Sequence, residues 1–185
     1  MNKWRRKRSI MMRYDLTAHM YDQRYAEEQE AKYKAGLEVL AVAPTGLILD
    51  VGCGSGLFFP HVADNAEALV GVDISRQLLI QAKNRARSFS NIFVVCADAD
   101  HLPLRQGLFS FIFAFTLIQN MPAPSVTLKE IAQIGNHHAC FVVTALKRAV
   151  DLETLSVWLR HSGLCAISLR DDELLKCNVV VAVKA

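Results

Sequence analysis

The stretch from Leu47 to Gly56 constrains the fold of this chain most strongly. An apolar run leads into Asp50, and glycines then stand at every second position, 52, 54 and 56. This pattern predicts a buried strand, a tight turn and then a helical segment. A glycine turn lets the backbone approach a ligand, and an acid ends the strand beside it. The stretch therefore favours the first half of a nucleotide-type site.

Buried strands and helical segments alternate over the rest of the chain. The apolar runs that predict strands lie at residues 47–51, 68–73, 92–97, 108–117 and 139–146. Helical segments separate most of them, which favours a parallel sheet with helices on both faces. Two further runs, 165–169 and 179–183, are separated by about nine residues. That is too short for a helical crossover, so we expect these two strands to pair antiparallel as a hairpin.

Positive charge is concentrated at the start of the chain. The basic residues there are Lys3, Arg5, Arg6, Lys7, Arg8 and Arg13. The whole chain carries a net charge of +3, so the remainder is slightly acidic. We expect residues 1–13 to form a flexible basic tail, which either has no partner or rests on the phosphates of RNA or of an anionic membrane. Residues 14–185 are expected to form one domain, with a helical cap at 14–44 and a core at 45–185.

The composition indicates the cellular compartment in which the protein is expected. The five cysteines contain no C-x-x-C pair and lie in or beside apolar runs, so we expect buried thiols in a reducing compartment. No apolar run reaches the roughly 18 residues that a membrane span requires. The basic start lacks the apolar region of a signal peptide, and we predict a cytoplasmic protein. His137 and His138 have no further ligand at a suitable spacing, so no metal site is predicted.

Acidic residues stand at three successive strand ends. Asp50, Asp73 and Asp98 stand at the ends of the first three predicted strands, and residues 115–119 stand at the end of the fourth. Parallel sheets bind ligands outside these ends, and an acid about twenty residues past the glycines suits the hydroxyls of a ribose. A dinucleotide fingerprint would require a glycine at position 57, which is Leu57 here. A nicotinamide-dependent oxidoreductase is therefore the less favoured alternative.

Four segments, in this order and spacing, resemble the class I S-adenosylmethionine-dependent methyltransferases. They are Asp50-Val51-Gly52-Cys53-Gly54-Ser55-Gly56, Val72-Asp73-Ile74-Ser75, Ala97 to Leu104, and Phe109 to Leu117. The resemblance covers about residues 14–185. It implies an α/β fold with a Rossmann-like doubly wound, mostly parallel seven-stranded sheet and an antiparallel C-terminal hairpin. It also implies S-adenosyl-L-methionine as cofactor, S-adenosyl-L-homocysteine as product, and methyl transfer as the reaction.

The resemblance also implies which residues bind the cofactor. They are Asp50, Gly52, Cys53, Gly54, Gly56, Asp73, Ile74, Asp98, Ala99, Phe115, Thr116, Tyr14 and Tyr21. Asp73 would bind the ribose hydroxyls, and Asp98 would approach the adenine amino group. Tyr14 and Tyr21 would cover the cofactor, although aromatic residues on a helix equally serve as packing residues.

The acceptor of the methyl group is left open by the sequence. Methyl transfer mainly requires positioning, so no catalytic dyad is expected, and Gln119, Asn120, His19 and His101 are only candidates to face the acceptor. No N-P-P-Y-like sequence follows the fourth strand, which disfavours amino groups of bases or glutamine. The acceptor is a small molecule, an RNA or a protein. The alternative function is a cofactor-binding subunit that acts with a partner or a small activator protein.

Overall fold

The computed structural model describes residues 2–171 and 173–185. Its strands are β1 (Gly46–Val51), β2 (Ala66–Asp73), β3 (Ile92–Cys96), β4 (Phe109–Ala114), β5 (Gly135–Leu146), β6 (Leu164–Arg170) and β7 (Cys177–Lys184). Its helices are α1 (Lys3–Thr17), α2 (Tyr21–Leu40), α3 (Arg76–Ala86), α4 (Pro124–Ile134) and α5 (Leu152–His161). Short 3₁₀ turns lie at Ala18–Met20, Phe59–His61, Ala63–Asn65 and Ile118–Asn120.

The seven strands form one sheet in the order β3-β2-β1-β4-β5-β7-β6. Strands β1 to β5 run parallel, whereas β7 is antiparallel to both β5 and β6. The predicted fold, including the antiparallel C-terminal hairpin, is confirmed. The chain direction across the sheet reverses between β1 and β4. The carboxyl ends of these two strands therefore flank the switch point at which open α/β sheets bind ligands.

Both faces of the sheet are buried, which explains why its central strands are apolar without a polar alternation. Ile48 and Phe113 point to one face and pack in a core with residues of α2 and α3. Leu49 and Ile112 point to the other face and pack with residues of α4 and α5. All four side chains are at most 1% exposed. This double burial fixes the register of β1 and β4, and with it the position of their carboxyl ends.

The flexible tail predicted at the N-terminus is not what the structure shows. The described part of it, residues 2–13, belongs to α1 and to the residue that caps it, Asn2. Lys7 is only 8% exposed because its ammonium group lies 2.7 Å from the Asp98 carboxylate and also forms an ion pair with Asp100. The charge run suggested a solvated segment because both acids are about ninety residues away in sequence. Packing of α1 at the end of β3 brings the three charges together.

The five cysteines were all predicted to be buried, and this is wrong for two of them. Cys53 and Cys177 are buried, and Cys140 is half-buried. Cys96 and Cys165 are exposed because β3 and β6, which carry them, are the edge strands of the sheet.

Within residues 2–171 and 173–185, every helix is too short or too polar to span a bilayer. Within the same residues, no three histidine, cysteine or acidic side chains are grouped as metal ligands.

Replacement of Lys7 by methionine tests the docking of α1. The substitution leaves Asp98 and Asp100 without their cation, and removing one partner of a buried ion pair costs about 3–5 kcal/mol. We therefore expect amide hydrogen exchange in α1 to become at least tenfold faster, while the exchange of β1 and β4 stays unchanged. Lys3→Met is the matched control because Lys3 is exposed on the same helix. Equal protection of α1 in the wild type and in Lys7→Met would contradict this account.

Candidate functional site

A cavity of about 490 Å³ opens at the carboxyl ends of β1, β2 and β4, under α1 and α2. Its volume lies within the range of roughly 300–1,000 Å³ that is usual for small-molecule sites. Most residues that were predicted to form the site line this cavity. They are Gly52, Gly54, Asp73, Ile74, Asp98, Ala99, Phe115, Thr116, Tyr14, Tyr21, Gln119 and Asn120. The fold thus brings together residues from six separate segments of the chain.

Five of the predicted residues lie outside the lining of the cavity. They are Asp50, Cys53, Gly56, His19 and His101. His19 and His101 are exposed elsewhere on the surface and do not line this cavity. Gly56 has a φ of +78°, and a Cβ there would lie 2.5 Å from the ring of Phe59. This glycine therefore has a packing role under the turn and does not form a ligand-facing wall.

Asp50 and Cys53 support the turn from below. The Asp50 carboxyl is 2% exposed, and one of its oxygens has no hydrogen-bond partner among the described residues. Burial, with a further contribution from the charge of Asp73, raises the pKa of Asp50 to about 8. Burial likewise raises the pKa of the Cys53 thiol. Both side chains are thus held in neutral or partly neutral form beneath the turn, outside the lining of the cavity.

Asp73 is held in place by the backbone on both sides of it. Its two oxygens accept hydrogen bonds from the N–H groups of Gly54 at 3.0 Å and Ser75 at 2.8 Å. Burial raises the pKa of Asp73, and these two N–H groups oppose the rise. A carboxylate has about four acceptor positions, so two remain for other donors. The end of β2 therefore presents a pre-oriented acceptor pair to the cavity, as a ribose diol requires.

Asp98 lines the cavity and already forms an ion pair with Lys7. The sequence did not suggest Lys7 as a residue of the site. The ammonium group of Lys7 lies 2.7 Å from both carboxylate oxygens. An adenine amino group at this position would have to share Asp98 with Lys7. No local sequence signal pointed to Lys7, because its contact depends entirely on how α1 packs.

The helices over the cavity each carry a tyrosine followed by an aspartate, Tyr14-Asp15 and Tyr21-Asp22. Both tyrosines line the cavity. The aspartates anchor the helices: Asp15 accepts a hydrogen bond from the Ser75 hydroxyl at 2.6 Å, and Asp22 accepts one from the Arg85 guanidinium at 2.7 Å. The sequence predicted the tyrosines as covering residues. It did not reveal that the adjacent acids fix their position.

The opposite end of the cavity is formed at the end of β4. Thr116 has a positive φ of 51°, a strained conformation for a residue other than glycine. The structure holds it there, because its N–H donates to the Thr144 hydroxyl at 2.8 Å and its carbonyl accepts from the Asn120 amide at 3.2 Å. Phe115 packs edge-on against Tyr33, with ring centroids 4.8 Å apart. These contacts tie the wall to β5, to the turn after β4 and to α2.

Two buried amide oxygens in the cavity wall are unsatisfied. The Oε1 atoms of Gln29 and Gln119 have no hydrogen-bond partner among the described residues, and both side chains line the cavity. A buried acceptor without a donor is costly, so such atoms point to a missing ligand or water. S-adenosylmethionine carries hydroxyl and ammonium donors. The residues present therefore fit this cofactor, with Asp73 for the ribose and a glycine turn that has no side chains in the way.

Comparison with known proteins agrees with this fit. The family model described as a methyltransferase domain matches residues 49–143, which is just over half of the chain. A malonyl-[acyl-carrier protein] O-methyltransferase of a Marinomonas species is 28% identical over 154 residues, covering 82% of this chain. The chain spans only 57% of that relative's own length.

Solved structures share the fold. The DhpI–SAH complex superposes with a TM-score of 0.80 at 16% identity, covering 95% of each chain. A Haloferax volcanii methyltransferase, solved in complex with the Trm112 activator, superposes with a TM-score of 0.75 at 15% identity, covering 92% of this chain and 97% of that one. Together with the family model and the predicted motifs, these matches identify the family. The chain belongs to the methyltransferase domain family, within the class I S-adenosylmethionine-dependent methyltransferases.

Proposed function

We propose that this protein binds S-adenosylmethionine in the cavity and transfers its methyl group to an acceptor that enters beside β4 and α2. The observation that carries this proposal is the Asp73 carboxylate, which the N–H groups of Gly54 and Ser75 orient toward a cavity lined by the glycine turn. In this arrangement Asp73 would hold the ribose, and the backbone from Gly52 to Gly54 would lie along the methionine portion. Ile74 and Ala99 would flank the adenine.

The cofactor, when bound, supplies a methyl group on a sulfonium that is already a good leaving group. The residues of this chain therefore have to bind, orient and exclude water. Phe115 and Thr116 form a fixed wall for the acceptor side, and Tyr14 and Tyr21 cover the cavity. Gln119 and Asn120 also line it, but both donate to the Thr116 carbonyl and thus support the wall.

An oxygen acceptor is the best-supported chemistry for this transfer. The Marinomonas relative is named as an O-methyltransferase. The segment after β4 reads Gln119-Asn120-Met121-Pro122, without the N-P-P-Y-like pattern that marks methylation of amino nitrogens.

A contact of RNA with α1 remains a separate prediction. It would use Arg5, Arg6 and Arg8, which are exposed on the helix.

A second candidate function is a cofactor-binding subunit that requires a partner protein. Exposed apolar side chains at both edges of the sheet favour this second candidate. Phe93 on β3 is 56% exposed, and Ile167 and Leu169 on β6 are 59% and 54% exposed. Exposed apolar residues on an edge strand are typical of surfaces that pair with another chain. The Haloferax methyltransferase was solved with such a partner, the Trm112 activator.

Replacement of Asp73 by asparagine tests the cofactor site. Asparagine keeps the shape but loses an acceptor and the charge, and hydrogen bonds to charged groups contribute roughly 1.5–3 kcal/mol. We expect calorimetry to show about tenfold to hundredfold weaker binding of S-adenosylhomocysteine, with no binding of NAD by either protein. Asp64→Asn is the control because Asp64 is exposed and lies outside the cavity. Tight NAD binding, or unchanged S-adenosylhomocysteine affinity in Asp73→Asn, would count against the proposal.

Transfer of radiolabel from the cofactor distinguishes the enzyme hypothesis from the subunit hypothesis. We expect the purified chain alone to transfer label from S-adenosylmethionine into at least one of three fractions of host cells, namely metabolites, RNA and protein. Each fraction is first freed of native partner proteins. The matched variants Phe93→Asp and Ile167→Asp should keep this transfer, because they change the sheet edges and leave the cavity intact. If label moves only when native extract is added, and Phe93→Asp or Ile167→Asp abolishes that movement, the subunit hypothesis replaces the enzyme.

A further inference from the structure

Helix α1 carries an exposed row of side chains at four-residue intervals, namely Trp4, Arg8, Met12 and Leu16. Residues four positions apart are neighbours on a helix surface, so these four form one continuous ridge, the α1 ridge. Trp4 is 52% exposed, Met12 51% and Leu16 73%. Single exposed apolar residues are ordinary on a protein surface, but three in one row of one helix indicate a surface that binds a partner.

Basic side chains flank the α1 ridge, and nearby acids do not compensate them. The helix contains a single acid, Asp15, which already accepts hydrogen bonds from the Ser75 hydroxyl and the Gln77 N–H. Among the residues that the structure describes, Lys7 alone of the basic side chains of α1 forms an ion pair. The remaining cations at the start of the helix are exposed to solvent: Lys3, Arg5, Arg6 and Arg8.

This distribution of charge is unfavourable for the helix itself. The first turn of α1 contains no acid, and cations close to a helix N-terminus oppose the helix dipole. Like charges three or four positions apart repel each other, as Arg5 and Arg8 do here. An anionic partner would relieve both effects. Charge complementarity therefore indicates a partner whose surface is negatively charged.

The α1 ridge is accessible while the helix keeps its place over the cavity. On the inner side, Lys7 pairs with Asp98 and Asp100. Leu16 follows Lys7 by nine residues, which is about two and a half turns, so the two side chains point to opposite sides of the helix. A partner on the ridge therefore does not need to displace α1 from the rest of the domain.

The apolar members of the ridge distinguish between two kinds of anionic partner. RNA would neutralise the arginines and would offer a base to stack on Trp4, but it gives Met12 and Leu16 no apolar environment. At the surface of an anionic bilayer, arginines meet lipid phosphates, the indole lies among the headgroups, and aliphatic side chains reach the boundary of the acyl chains. The combination of residues in the ridge therefore favours a bilayer.

We propose that α1 docks on the surface of an anionic lipid bilayer. Trp4, Met12 and Leu16 enter the headgroup region, and Arg5 and Arg8 bind lipid phosphates. The helix lies along the surface and does not span the membrane. Because α1 also lies over the cavity, this docking brings the cavity close to the bilayer. The proposal requires neither the cofactor nor a methyl acceptor, so it stands independently of the proposed function.

Binding of the full chain to lipid vesicles tests the role of charge. The probes are vesicles of phosphatidylcholine with and without the anionic lipid phosphatidylglycerol. We expect about tenfold or tighter binding to the anionic vesicles, and Arg5→Gln/Arg8→Gln should lose most of this preference, because each arginine near an anionic surface contributes roughly fivefold. Arg105→Gln/Arg160→Gln is the matched control, since it removes the same charge from exposed positions outside α1. Equal binding to both kinds of vesicle, no binding to either, or equal losses in the two double variants would overturn the proposal.

Variants of the apolar side chains test insertion and separate the bilayer from RNA. Met12→Gln/Leu16→Gln keeps the charge and the helix propensity, and we expect about tenfold or weaker binding to anionic vesicles. Val126→Gln, at an exposed position on α4, should bind as the wild type does. Lipids brominated on their acyl chains should quench the fluorescence of the wild type, and Trp4→Phe should lose most of this quenching. Unchanged vesicle binding in Met12→Gln/Leu16→Gln, or no quenching in the wild type, contradicts the proposal. Tighter binding of single-stranded RNA than of anionic vesicles in the same buffer also contradicts it and assigns the arginines to RNA.

Discussion

The hydrogen bonds that hold the Asp73 carboxylate are the interaction on which the rest of the site depends. The Gly54 N–H comes from the turn after β1, and the Ser75 N–H comes from the start of α3, so Asp73 joins two adjacent strand-to-helix connections. The turn is further tied to β2, because the Gly52 N–H donates to the Val72 carbonyl at 2.7 Å. Side chains at the turn would disturb this arrangement. The glycines are therefore required by the geometry of the turn as much as by a ligand.

Helices α1 and α2, which lie over the cavity, are also held in place by polar contacts. Polar contacts at three points connect them to the sheet side: Lys7 reaches the end of β3, Asp15 the start of α3, and Asp22 the arginine of α3. The tyrosines between these anchors are thus held over the cavity without being anchors themselves. In the same way, the rings of Tyr33 and Phe58 pack against Phe115 in the β4 wall. Such fixed contacts suit a reaction that depends mainly on positioning.

The fold was predictable because its signals are local. Apolar runs, the glycine turn and the short final connection sufficed to predict the parallel sheet and its hairpin. For the candidate site, the motifs sufficed to predict Asp73 and the residues after β4, which line the cavity. Contacts between distant segments were not predictable. Lys7 is an example, since nothing near it in sequence reveals the pairing with Asp98 and Asp100. Asp50 and Gly56 belong to the motif, but the sequence could not show that they face the core and not the cavity.

A crystal structure of the protein with S-adenosylhomocysteine tests the central claim most directly. The account predicts the ligand in the cavity under α1 and α2, with both ribose hydroxyls on the Asp73 carboxylate and the adenine between Ile74 and Ala99. The sulfur should face the wall formed by Phe115 and Thr116. A ligand bound elsewhere, or one whose ribose does not contact Asp73, would contradict the account.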